Sequence, residues 1–398
     1  MPEPNANSAA SASENDLRAR IDSSLCSLRE NSQFRSLDFP RGLNLYSNDY
    51  LGLASDPRLK QALLDAVSAG SHVASTGSRL LSGNSRDWEE IEFEFANFTG
   101  FDSALYFSSG YAANVGLLSS IAHSNDLVFS DALNHASLID GVRLSRARKI
   151  VYPHRDLQFL ERALRENTSS PTARIIVTES VFSMEGDIAP LEELANLAAL
   201  YNAFLIIDEA HALGVCGREG RGLVAALPDR SRVLASVYPC GKALASCGAF
   251  VCCSAAIKEY LVNHARSFIF STASPPYIAH QIRAALGLAR EAEERRAHLR
   301  RISTALRAEI VTAGLGCASG DTPIVPVILG SNECAVRVAG ELQAAGFAVK
   351  AIRPPTVPAG SARIRLSLTA AISPGDVHRL AEALIAAASV RNAIPAHA

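Results

Sequence analysis

What this 398-residue chain lacks narrows it first. It has almost no net charge, since 38 Lys and Arg against 40 Asp and Glu leave a formal −2. Binding nucleic acid or an acidic membrane through a general field needs a strong positive excess, so neither partner is expected. The longest basic cluster, Arg295 to Arg301, follows Glu291, Glu293 and Glu294 on a helical pattern and reads as a solvated helix face. The eight cysteines show no paired metal spacing, and vicinal Cys252-Cys253 lies in an apolar strand-like run. Free thiols in a reducing cytosol and no metal centre are expected. No apolar stretch reaches membrane-spanning length. Met1 to Glu14, rich in Ser, Ala and Asn, lacks the basic start and apolar core of a secretory leader. A cytoplasmic protein whose first dozen or so residues fray is expected. No internal repeat is visible.

What is present is a large apolar content, 48%, enough for a sizeable core. Leu17, Ile21, Leu25 and Leu28 predict an amphipathic helix from Leu17 to Arg29. Short apolar runs then alternate with helical patterns: Ala104 to Phe107, Leu127 to Phe129, Ile150 to Tyr152, Ile175 to Val177 and Phe204 to Ile207. This is the pattern of a parallel sheet. Val233 to Val237 and Ala249 to Cys252 add two strands. One long helical connector is expected from Pro276 to about Ala313. Strands over Ile324 to Leu329, Phe347 to Ile352 and Ile364 to Leu368, with helices over Glu333 to Ala345 and Pro374 to Ala388, predict a small α+β unit. The expected division is a tail and helix over 1–45, a large domain over 46–285 and a small C-terminal domain over 286–398.

The chemistry is concentrated from Phe204 to Gly248. Leu205, Ile206 and Ile207 read as a strand covered on both faces, so Asp208 emerges at a strand's carboxyl end, where open α/β sheets bind ligands. His211 follows, and Gly241-Lys242-Ala243 comes after the next strand. A carboxylate, an imidazole and an amine so placed could hold a pyridine aldehyde, the carboxylate keeping the ring nitrogen protonated and the amine forming the imine. Ser108-Ser109-Gly110-Tyr111 joins a strand to a helix start and suits a phosphate. Ser47-Asn48-Asp49-Tyr50 and Ser75-Thr76-Gly77-Ser78 are turn-forming loops. Arg363 and Arg365 alternate along a strand and so share one face, as a carboxylate clamp or a pair of solvated charges.

Asp208-Glu209-Ala210-His211-Ala212-Leu213-Gly214, with Gly217, Gly220-Arg221-Gly222 and the Gly-Lys-Ala-Leu turn, resembles the α-oxoamine synthase family of fold-type I pyridoxal phosphate enzymes. The resemblance covers roughly Leu43 to Ile385. It implies an α/β fold with a mostly parallel central sheet and a smaller C-terminal domain, pyridoxal 5'-phosphate as cofactor, and a homodimer with sites at the interface. It implies cofactor contacts from Gly110, Tyr111, His135, Ser183, Asp208, His211 and Lys242, with Lys242, His135, Asp208 and His211 catalytic and Ser271-Thr272 contributed by the neighbouring subunit. Arg35, Asn48, Thr356 and Arg365 are implied substrate contacts. The string Arg353-Pro354-Pro355-Thr356-Val357-Pro358 points within the family to the branch that joins L-alanine to a pimeloyl thioester in biotin synthesis. Glycine-using and sphingoid-base-forming relatives, or a catalytically silent partner subunit, are the alternatives. One departure stands out: Pro239 replaces the threonine that usually bonds the phosphate.

Overall fold

The computed structural model describes residues 6–167, 173–318 and 320–389. Of the beginning expected to fray, residues 1–5 lie outside the described residues. The first helix runs Ala6–Glu30, starting upstream of the Leu17 expected from the apolar spacing. Alanines in that stretch favour the helix without contributing to an apolar stripe, so periodicity alone misses them.

β1 is Leu43–Asn44. The strands β2 (Ser103–Phe107), β3 (Leu127–Asp131), β4 (Arg148–Tyr152), β5 (Arg174–Glu179), β6 (Phe204–Asp208), β7 (Val233–Pro239) and β8 (Ala249–Cys253) form one sheet. Their spatial order is β2-β8-β7-β6-β5-β3-β4. From β7 to β4 every pairing is parallel, while β8 returns antiparallel between β7 and β2. The continuous apolar run of β6 has its expected cause. Leu205 and Ile207 face a layer containing Leu160 and Leu194, and Ile206 faces the opposite layer containing Leu117 and Leu138. Burying each such side chain stabilises the fold by about 1.5–3 kcal/mol.

The C-terminal unit carries β9 (Ile324–Gly330), β10 (Phe347–Ala348), β11 (Ala351–Ile352) and β12 (Ala362–Ser367). An antiparallel sheet has the order β11-β12-β9. The single strand expected over Phe347 to Ile352 is two strands in different sheets. β10 pairs in parallel with β1, whereas β11 joins β12. Between them the Val349 carbonyl accepts from the Gln343 amide, which takes it out of either ladder.

The expected connector is also two helices, Tyr277–Arg290 and Glu293–Thr312. Arg296 explains the join, and corrects the reading of Arg295 to Arg301 as a solvated face. It is 1% exposed and donates to the Ala289 and Arg290 carbonyls, a cation closing a helix C-terminus. Arg295 donates to the Leu51 carbonyl.

Candidate active site

Three parallel strands end side by side and set the floor of the site. Glu179 ends β5 and Asp208 ends β6, in direct register. β7 ends at Pro239 and leads into the Lys242 turn. That turn is closed by backbone bonds, Cys240 N–H donating to Gly248 O (2.9 Å), Ser246 N–H to Cys240 O (3.0 Å) and Ala245 N–H to Lys242 O (2.8 Å), and is held from outside by the Gln281 amide on Ala245 O (3.0 Å) and the Tyr106 hydroxyl on Cys247 O (3.3 Å). Gly248 has a positive φ of 76°, and a Cβ there would meet the Tyr106 hydroxyl at 2.1 Å, so only glycine fits. The lysine side chain is left free of structural duty.

Lys242 Nζ lies 2.9 Å from His211 Nε2, and His211 Nδ1 lies 2.6 Å from the Tyr50 hydroxyl. Tyr50 is 3.1 Å from Asn48 Oδ1. Arg365 reaches the same group, donating to Asn48 Oδ1 (3.1 Å), Tyr50 (3.4 Å), Ser367 and the Ser183 carbonyl. On the other side of the floor Asn114 donates to Asp208 Oδ2 (2.7 Å) and to Ser137 Oγ (2.9 Å), which lies 2.7 Å from His135 Nδ1. Asp208 Oδ1 accepts the Ala210 N–H at 2.8 Å. This second network exists because helices Gly110–Ile121 and Ala136–Ser145 touch closely. A Cβ on Gly141 would come 2.9 Å from the Asn114 carbonyl oxygen.

Electrostatics follow from this crowding. Burial pushes the His211 imidazole well below its ordinary range, and Lys242, Arg365 and His135 add to the effect. His135 is also pushed down by burial, with Asp208 pulling the other way. Both rings are therefore neutral near pH 7. Burial lowers Lys242 from an ordinary 10.5, against the raising pull of Asp208 and Glu179. Burial and the Asp208 charge raise Glu179. An amine and a carboxyl are thus both poised to exchange protons near neutrality.

Sequence reasoning missed Tyr50, Asn114, Ser137, Glu179 and Ser367 as site residues. The one local signal was Asn114, a polar residue in the otherwise apolar run Ala112 to Leu118. Of the residues that were singled out, Lys242, His211, Asn48, Arg365 and Ser183 join one network, and Asp208 and His135 the other. Arg363 and Arg365 do share a face. Neither is solvated, since Arg363 donates to the Met184 carbonyl and to Glu185 (2.9 Å). Arg35 and Thr356 meet each other at 3.4 Å on an exposed part of the chain. Ser271 and Thr272 line a separate cleft with Arg79, Phe107 and Ser108. The Tyr111 phenol, 46% exposed, turns to Asp140 and away from the floor.

These residues fit pyridoxal phosphate on structural grounds. Asn114 Oδ1 and Glu179 Oε1 are buried without a hydrogen-bond partner beside Asp208, so the site holds polar atoms that a ligand could satisfy. Ser109 caps the helix Gly110–Ile121 by accepting the Ala112 N–H, which leaves the Gly110 and Tyr111 amides at an open helix start. Pro239 closes that start from the side, because a Cβ on Gly110 would stand 2.8 Å from its Cγ. Pro239→Thr therefore puts a hydroxyl at the phosphate cradle. Titration of the cofactor-free variant with pyridoxal phosphate should give a Kd roughly tenfold lower, one charge-assisted hydrogen bond. An equal or weaker Kd would mean that another donor already serves there.

Residues 40–384 match the family model described as aminotransferase class I and II. The 8-amino-7-oxononanoate synthase of Burkholderia thailandensis is 44% identical over 374 residues, covering 92% of this chain and 93% of that protein. A solved 8-amino-7-oxononanoate synthase from Francisella tularensis superposes with a TM-score of 0.77 at 30% identity, covering 88% of this chain and 98% of that one. A serine palmitoyltransferase from S. paucimobilis, solved with a bound PLP-myriocin aldimine, gives a TM-score of 0.85 at 28% identity over 94% of this chain and 98% of that one.

Proposed function

Since the chain belongs to the class I and II aminotransferase family, and within it to the 8-amino-7-oxononanoate synthases, we propose that it condenses L-alanine with a pimeloyl thioester. The new bond joins alanine's α-carbon to the acyl carbonyl carbon, the thiol leaves, and the former alanine carboxyl departs as carbon dioxide. The product is 8-amino-7-oxononanoate. The observation that carries this reading is the hydrogen-bonded array joining Lys242 and His211 to Asn48 and Arg365, an amine and a carboxylate-binding pair within one site.

Pyridoxal phosphate, when bound, supplies a protonated ring that takes up the electron pair left at the α-carbon. Lys242 would hold its carbonyl carbon, Asp208 its ring nitrogen, His135 one face of the ring, and the helix start at Gly110 its phosphate. Arg365, through its remaining Nη2 hydrogen and its positive charge, would hold the amino acid's carboxylate beside Asn48 and so orient the α C–H bond. Lys242 Nζ, its pKa lowered by burial to about 8 so that the free amine is within reach near neutrality, accepts the α-proton and later returns one. Arg363 and Arg365 tie β12 to the Ser183-Met184-Glu185 loop and so fasten the C-terminal unit beside the floor of the site.

A cytoplasmic homodimer belongs to the same reading. Phe270 (71% exposed) beside Ser271-Thr272, and Leu81 (82%), are exposed apolar side chains that a second copy would cover. The test of function is an assay of the pyridoxal phosphate-loaded protein with pimeloyl thioester and either alanine or glycine. Alanine should be turned over and glycine far more slowly. Glycine turnover equal to or above that of alanine would move the chain to a glycine-using branch.

A further inference from the structure

Tyr50 is fully buried, at 0% exposure, between the two halves of the site. Its oxygen is 2.6 Å from His211 Nδ1, and the opposite ring nitrogen, Nε2, is 2.9 Å from Lys242 Nζ. A phenol has one hydrogen to give. Arg365 donates to the Tyr50 oxygen at 3.4 Å, which occupies a lone pair and polarises the O–H bond. Two acceptors compete for that hydrogen, His211 Nδ1 at 2.6 Å and Asn48 Oδ1 at 3.1 Å. Asn48 Oδ1 already receives Arg365 at 3.1 Å and Ser367 at 3.4 Å, so the ring nitrogen is the acceptor with the greater need. His211 is neutral in this environment and carries a single ring hydrogen of its own.

We infer that Tyr50 is a positioning residue: its hydroxyl donates to His211 Nδ1 and thereby fixes the imidazole hydrogen on Nε2, facing Lys242. An N–H pointed at Nζ opposes an ammonium there and favours the free amine. Through Arg365 and Asn48 the same phenol touches the pair that would hold the substrate carboxylate. Occupation of that pair would therefore be felt at Lys242 through three hydrogen bonds in series. The inference rests on the proposed roles of Lys242 and Arg365, but the tautomer it specifies can be read without turnover.

The test is nitrogen NMR of the full chain labelled with ¹⁵N-histidine, with and without pyridoxal phosphate, the His211 signals being identified by their loss in His211→Asn. In the unsubstituted protein Nε2 should show the shift of a protonated nitrogen and Nδ1 that of a bare one. The opposite tautomer would overturn the inference with no variant needed. In Tyr50→Phe the preference should fall by about tenfold, the worth of one buried hydrogen bond, and the two shifts should converge. An unchanged tautomer in a folded Tyr50→Phe protein would also overturn it, since a merely structural tyrosine changes melting and leaves the ring hydrogen where it was. Failure to turn over alanine would strike the proposed reaction and leave this reading standing on its spectrum.

Discussion

Lys242→Ala should lower turnover by about four orders of magnitude while the protein stays folded. General base catalysis by a positioned side chain contributes on the order of 10²–10⁴-fold, and covalent capture of the cofactor adds to it. The fold should survive because the turn that presents Lys242 is closed by the backbones of Cys240, Ala245, Ser246 and Gly248. Borohydride treatment of the unsubstituted protein with pyridoxal phosphate should fix the cofactor on the peptide containing Lys242 and nowhere else. A label on another lysine would remove the assignment. The lowered pKa gives the same residue a pH signature. A lysine is nucleophilic and basic only when neutral, and the neutral form grows as pH rises through the pKa. Amine-directed labelling of Lys242 in cofactor-free protein should therefore rise with a midpoint well below the 10.5 of a free side chain. A midpoint near 10.5 would mean that the cleft does not desolvate it.

Arg365→Ala should raise the KM for the amino acid by about thirtyfold or more. Removing one partner of a buried charged pair costs about 2–5 kcal/mol. The cofactor absorption band should persist, because no cofactor-holding role falls on this arginine. A stability loss is also expected, since Arg365 holds the Ser183 carbonyl, Asn48 and Ser367 together. Arg363→Ala separates the two effects. It breaks the buried pair with Glu185 and the bond to Met184, so melting should fall, while the KM rises much less. Equal KM changes in the two variants would show that closure of the Ser183 loop, and not the guanidinium of Arg365, is what the amino acid senses.

The sheet was legible because its signals are local. Seven apolar runs of strand length became seven strands, every end agreeing to within two residues. The polar residues just beyond them, Asp208, His135 and Lys242, fell on one edge because parallel strands all end there. The connector and the Phe347 to Ile352 run were misread for a complementary reason. Their breaks come from Arg296 reaching back to the carbonyls of the preceding helix and from Gln343 taking a strand carbonyl, neither of which alters an apolar pattern.

The sequence by itself determined the parallel α/β core, the strand-end carboxylate, the imine-capable lysine and the placing of a helix start after β2, since each depends on neighbours a few positions away. Only the tertiary structure decided which groups set the protons. Tyr50 meets His211 across 161 positions, Asn114 meets Asp208 across 94, and Arg365 meets Asn48 across 317. The physical reason is that a strand's burial can be read from its own residues, whereas a buried hydrogen bond is made by whichever partner the packing of distant elements delivers within about 3 Å. In Tyr50 a residue that reads as part of an ordinary turn becomes, once that turn is folded under β12, the neighbour of both the imidazole and the guanidinium.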